Sequence, residues 1–125
     1  MFLVAFLQIM KKEYRLLKNQ DFQKVIQAKQ SIVNKCYVVY FQKNELNKIR
    51  VGISISNKFG CAVERNKAKR QVREIVSDIF STSIPYDVVI IIRNRFGNNE
   101  FRKNKEEMNY IYKKILEKGG QNEII

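Results

Sequence analysis

Histidine and tryptophan are absent from this chain of 125 residues, and proline occurs once. Without histidine the commonest general base near neutral pH is missing. The two cysteines, Cys36 and Cys61, form no CxxC pair, so a zinc site and a disulfide framework are both excluded. Cys36 lies in an apolar stretch and is expected to be a buried small hydrophobe; a reducing, cytoplasmic setting fits such cysteine usage. No apolar run approaches the ~20 residues of a membrane span. The apolar segment 1–9 lacks the positive flank and cleavage site of a signal peptide, and Met10-Lys11-Lys12 reads as the start of the domain. Neither GxxxxGK[ST] nor GxGxxG occurs. Acids are scarce and scattered; Asp87 with Glu64 is the one carboxylate pair to weigh as a metal-nuclease site.

What the chain has is positive charge. It carries 24 Lys+Arg against 12 Asp+Glu, a net charge of +12. Such a field attracts nucleic acid or another polyanion and is silent about fold. The cations run from Lys11 to Lys118, as on a folded domain seated against a large anionic partner.

They are densest in Lys58-Phe59-Gly60-Cys61-Ala62-Val63-Glu64-Arg65-Asn66-Lys67-Ala68-Lys69-Arg70-Gln71-Val72-Arg73-Glu74. Ala68, Val72, Ile75, Val76, Ile79 and Phe80 recur at spacings of three and four, which predicts a helix over 66–80 with one buried face. At about 100° per residue, Arg65, Lys69 and Arg73 form a stripe along one flank of that face. Asn66 and Arg70 lie just beyond it, with Glu74 and Asp78 on the other side. Cations at the helix start run against the macrodipole, and only Arg70–Glu74 has the spacing of an intrahelical ion pair. An ordinary solvated face is the plain alternative. Cations beside free N–H groups at a helix start favour an external anion, phosphate first.

Around this segment the pattern predicts an α+β domain of order αββαβα, a small sheet with helices packed on it. Asn19 is expected to cap a helix to about residue 29, with Phe22, Val25 and Ile26 on one face. Strands are expected over 35–42 and 48–56, paired as a hairpin. Val38 and Tyr40 share a face beside the small residues Gly52 and Ser54, where a shallow groove could accept a base. A strand over 86–92 is apolar on both faces and hence central. Arg93-Asn94-Arg95 leaves that strand into a loop. Asn99 is expected to cap a last helix ended by Gly119-Gly120. Residues 1–9 read as an extension, 10–120 as one RNA-binding domain and 121–125 as a tail.

The segment from Lys58 to Glu74 resembles the signature of the bacterial ribonuclease P protein subunit: Arg-Asn-Arg, a gap, Lys-Arg, then Arg. Arg65-Asn66, Lys69-Arg70 and Arg73 match, while Lys67 stands in place of the third triplet residue; it keeps the charge and loses the planar fork. The resemblance extends from about Arg15 to Leu116 through Asp21-Phe22-Gln23-Lys24-Val25 and Val38-Val39-Tyr40. It implies a left-handed βαβ crossover and a role as the protein subunit of an endoribonuclease whose chemistry is carried by RNA with magnesium. It further implies that Arg65, Asn66, Lys67, Lys69, Arg70 and Arg73 hold the catalytic RNA. Phe22, Val38 and Tyr40 match positions that hold the 5′ leader of precursor tRNA. Ile26 stands where an aromatic is common. No catalytic residue, cofactor or metal is implied for the protein itself, and no membrane partner. The rival readings are a ribosomal-type structural RNA binder and a basic-helix DNA-binding module.

Overall fold

The computed structural model describes residues 12–124, with side chains from 13 to 118; the expected extension over 1–9 lies outside the described residues. Helices α1 (Asn19–Gln27), α2 (Ala62–Ile79) and α3 (Phe101–Ile124) accompany strands β1 (Ser31–Val33), β2 (Tyr37–Lys43), β3 (Arg50–Ile55) and β4 (Tyr86–Ile92). The fold is α+β, as the pattern predicts, with one four-stranded sheet of order β1-β2-β4-β3.

β4 is central because both its faces are apolar. Val88, Ile90 and Ile92 are buried in one core with Val72, Ile75 and Val76 of α2 and Met108, Ile111 and Ile115 of α3. On the other face Val89 is buried with Leu16 and with Val25 of α1. This placement overturns the expected hairpin. β2 and β3 are not neighbours: β4 lies between them, antiparallel to β2 and parallel to β3. The loop after β2 spans the start of β4, and its Asn44 amide donates to Lys48 O at 3.0 Å and Asp87 Oδ1 at 2.8 Å. Arg50 closes the same corner with a two-pronged bond to Asp87, at 2.9 and 2.7 Å. A hairpin would leave one edge of the most apolar strand unpaired.

The hand of the β3–α2–β4 crossover follows from main-chain bonds. Arg93 N–H donates to Cys36 O and Asn44 N–H to Pro85 O, both at 2.8 Å, so odd-numbered residues of β4 turn their amide groups toward β2. Val89 is odd and faces α1. On an ascending strand of L-residues, a side chain toward the viewer puts N–H and C=O to the right. From the α1 side β3 therefore lies left of β4; from the α2 side it lies right. With α2 in front of the sheet, the chain passes leftward from β3 to β4. That is a left-handed crossover, the rare hand.

Element ends differ from the pattern for local reasons. α2 begins four residues early, at Ala62, because Val63 is 77% exposed and its turn adds nothing to the apolar period. Asn19 is the first residue of α1 rather than its cap, and Lys18 in the cap position makes no side-chain bond. Asn99 does not cap α3, which begins at Phe101; it closes the preceding 3-10 turn through its N–H to Phe96 O, and its side-chain amide donates to Cys36 Sγ at 3.0 Å. α3 continues through Gly119-Gly120, since glycine in a helix costs only about 1 kcal/mol and does not forbid it. β1 has no counterpart in the pattern, because three residues are too few to display alternation.

α3 is pinned to the sheet by polar groups as well as by its apolar stripe. Asn104, 1% exposed, donates to Phe96 O at 3.1 Å, and its own carbonyl accepts from the Tyr37 hydroxyl at 2.9 Å. Burial pushes the Tyr37 phenol far above its ordinary 10.0, and the Cys36 thiol above 9.0. A raised folded-state value means stability that is complete below the ordinary value and lost as pH rises through the raised one. Urea-unfolding stability is therefore expected to fall as pH climbs past about 9–10. Tyr37→Phe should flatten that decline, at the cost of about 1 kcal/mol for the missing hydroxyl bond.

Candidate nucleic-acid interface

α2 lies across β3 with Ala68, Val72, Ile75 and Val76 buried, and this orientation sets what its cations can do. Arg65, Lys69 and Arg73 are half-buried along one flank; Asn66 and Arg70 are exposed beside them. Lys67 is exposed about 120° around the helix from Arg73, lining a depression with Phe59 and Gly97. The structure thus gathers five of the six expected positions on one side and sets Lys67 apart. Among the described residues no carboxylate lies within ion-pair distance of any of these cations, and Arg70–Glu74 does not pair. Among the described residues α2's one ion pair is Asp78 with Lys105 of α3, at 3.1 Å, which accounts for an acid at the unfavourable end of the dipole.

The early helix start changes the electrostatic picture. The first turn holds Glu64, in agreement with the dipole, and Arg65 N–H is already bonded to Cys61 O. The cations therefore stand one turn or more inside the helix, not beside free N–H groups. Arg65 donates through Nη1 to Gly60 O at 2.6 Å, which anchors the loop and leaves its remaining donors outward. Burial, then the nearby charge of Arg15, lowers the Arg73 guanidinium from its ordinary value. Such a group gains more from an anion than a fully hydrated one.

On the other face of the sheet, Phe22 and Tyr40 pack with Ile91 around Val25 and Val89. Val38 is on this face as the strand partner of Ile91. Both are half-buried, so α1 leaves this part of the sheet open. Ile26 is also half-buried but lies outside that cluster. The small residue Gly52 does not open the groove: a Cβ there would run into the Phe22 ring, which fills the space instead. Sequence reasoning misses two lining residues. Ile91 belongs to a run that reads as covered on both faces, and nothing local tells that one of those faces is only half covered. Arg15 reads merely as basic and extended, yet it stands beside Arg73.

Asp87 and Glu64 do not converge. Asp87 is tied to Arg50 at the start of β4, whereas Glu64 follows the far end of β3 and accepts from Cys61 Sγ at 3.2 Å. Arg93-Asn94-Arg95 leads from β4 into a 3-10 turn, Asn94–Asn98, as expected for a strand exit, with the extended Arg93 donating to Asn34 O at 2.7 Å. No helix among the described residues is long and apolar enough to cross a membrane.

A half-covered apolar sheet face, together with a helix whose cations have no acidic partner among the described residues, defines a basic α+β protein whose charge suits a polyanionic partner. The ribonuclease P family profile matches residues 10–116. The chain is 38% identical over 109 residues to the ribonuclease P protein component of Mesoplasma florum, covering 86% of this chain and 99% of that one. It is 40% identical over 114 residues to that of an Exiguobacterium species, covering 90% and 100%. Among solved structures, the RNase P protein of Staphylococcus aureus superposes with a TM-score of 0.74 at 35% identity, covering 80% and 93%. That of Thermotoga maritima gives 0.68 at 33%, covering 78% and 93%. The chain belongs to the ribonuclease P protein family, and so to the subunits of an endoribonuclease complex that works in tRNA processing with an RNA partner.

Replacing Lys69 and Arg73 together by alanine is expected to weaken binding to structured RNA. The slope of log K against log[salt] should shrink by about 0.7–0.9 for each phosphate no longer neutralised. A fluorescence titration across salt concentrations checks this; an unchanged slope would make the stripe a solvated face.

Proposed function

We propose that this chain holds the catalytic RNA of ribonuclease P through Arg65, Asn66, Lys67, Lys69, Arg70 and Arg73. Over Phe22, Ile26, Val38 and Tyr40 it receives the 5′ leader of precursor tRNA, promoting endonucleolytic 5′ maturation. The chemistry belongs to the RNA and its magnesium. The protein's part is to position substrate: it has no histidine, and Asp87 and Glu64 are engaged at opposite ends of the sheet. Residues 10–120 carry this role in the cytoplasm, and deleting 1–9 should leave it intact.

One observation supports the reading most directly. Arg73, the last cation of the stripe, lines the same notch as Phe22, so a single RNA path can run from the sheet groove to α2. A free DNA-reading helix fits less well, because the flank bearing Lys69 and Arg73 is half-buried against the domain.

Tyr40 tests the reading. It is half-buried beside Ile91, so Tyr40→Ala should stay folded. It should lose affinity for precursor tRNA by roughly 1–3 kcal/mol per stacked base while binding mature tRNA as before. Equal weakening toward both RNAs, in a mutant whose thermal unfolding is normal, would rule out leader recognition by Tyr40.

A further inference from the structure

The outer edge of β3 carries a feature that the groove and the stripe leave unexplained. Among the described residues the chain before α1 pairs with β3 at one point, Arg15 opposite Val51, with Leu16 N–H donating to Val51 O at 3.0 Å. β3 is the last strand of the sheet, so beyond Val51 its outer edge has no strand partner among the described residues. The bond to Val51 O shows that odd-numbered residues of β3 direct their amide groups outward, which turns those of Ile53 toward the opening. A cavity of about 140 Å³ lies here, lined by Arg15, Leu17, Phe22, Gly52, Ile53 and Arg73 among others.

Two guanidinium groups face this notch from separate elements, and no acid answers them. Among the described residues neither Arg15 nor Arg73 has a carboxylate within ion-pair distance or a side-chain hydrogen bond. At the start of β4, by contrast, the partly buried guanidinium of Arg50 is matched by both Asp87 and Asp21. Holding two like charges together in a partly desolvated cavity is unfavourable unless an anion joins them. Guanidinium forks bind phosphate oxygens in pairs, and a neighbouring ring suits the adjoining base.

We propose that this notch holds one backbone phosphate of the RNA leader, clamped between Arg15 and Arg73 where the strand passes from the groove across Phe22 toward α2. The assignment rests on the leader reading given above. It makes Arg15, which lies outside the helix stripe, a substrate-binding residue, puts Arg73 at the junction where it contacts the leader as well as the catalytic RNA, and makes Gly52 the position that leaves room for the Phe22 ring.

The test uses the full chain assembled with its RNA subunit, and measures affinity for precursor and mature tRNA across salt concentrations. Arg15→Gln should bind precursor about tenfold more weakly and mature tRNA unchanged; Arg15→Lys should restore the salt slope. Because both arginines serve one phosphate, the Arg15→Gln/Arg73→Gln double variant should lower the precursor-specific slope by about 0.7, against about 1.4 for two phosphates bound separately. Neutral methylphosphonates placed one at a time in the leader keep the question answerable if Arg15→Gln unfolds: a single position should reproduce the weakening in the wild-type complex. Full precursor preference in a folded Arg15→Gln complex, or equal weakening toward both RNAs, would overturn the clamp while leaving the leader reading in place. A wild-type complex with no precursor preference would overturn both. If inorganic phosphate raises the unfolding temperature of the wild type above that of Arg15→Gln, with leader affinity unaltered, the notch is a free-anion site and the clamp is wrong.

Discussion

β4 is apolar on both faces, and the rest of the molecule is arranged to cover them, one completely and the other in part. Val88, Val89 and Ile90 are fully buried, and β2 and β3 pair along its two edges. Removing that much apolar surface from water, at roughly 25 cal/mol per Å², requires an element on each side of the sheet. α2 and α3 supply one layer and α1 with Leu16 the other. The two layers are unequal. The large core under α2 and α3 is closed, whereas the short α1 covers only part of its face and leaves Val38, Tyr40 and Ile91 half-exposed. An open apolar groove is thus a consequence of the architecture: one helix of nine residues cannot seal a four-stranded sheet.

Charge is distributed on a different principle. Where ion pairs hold the fold, they are matched, as with Arg50 and Asp87 at the corner between β3 and β4 or Asp78 and Lys105 between α2 and α3. Along the flank of α2 they are not matched, and Arg15 adds to the excess. Self-repulsion of this kind destabilises the isolated protein and raises its attraction for a polyanion. The unmatched cations and the uncovered sheet face meet at one place, around Phe22, Gly52 and Arg73. The apolar groove and the unmatched charge therefore share a boundary there.

Much of this is legible without coordinates. Period-3.6 spacing finds α2 and its buried residues, period-2 alternation finds β3, and the doubly apolar run 86–92 marks the central strand with its observed ends. The six polar positions of the α2 segment and the apolar residues Phe22, Val38 and Tyr40 can be named because residue type and spacing are local properties. Strand order is not legible. A loop of a few residues after β2 fits a hairpin as well as a step across the start of β4, and only the burial of β4 decides between them. β1 is too short to show a pattern, and the first turn of α2 faces solvent and leaves none.

The sequence by itself determined the class of the protein, its large positive field, the absence of histidine chemistry and the faces of its main elements, because each depends on composition or on spacing within one segment. The tertiary structure alone decided what distant segments do to one another. It put β4 between β2 and β3, set the Phe22 ring over Gly52, and brought Arg15 beside Arg73. These residues lie far apart in the chain and are brought together by the apolar faces that must be buried against each other, and no local pattern records that.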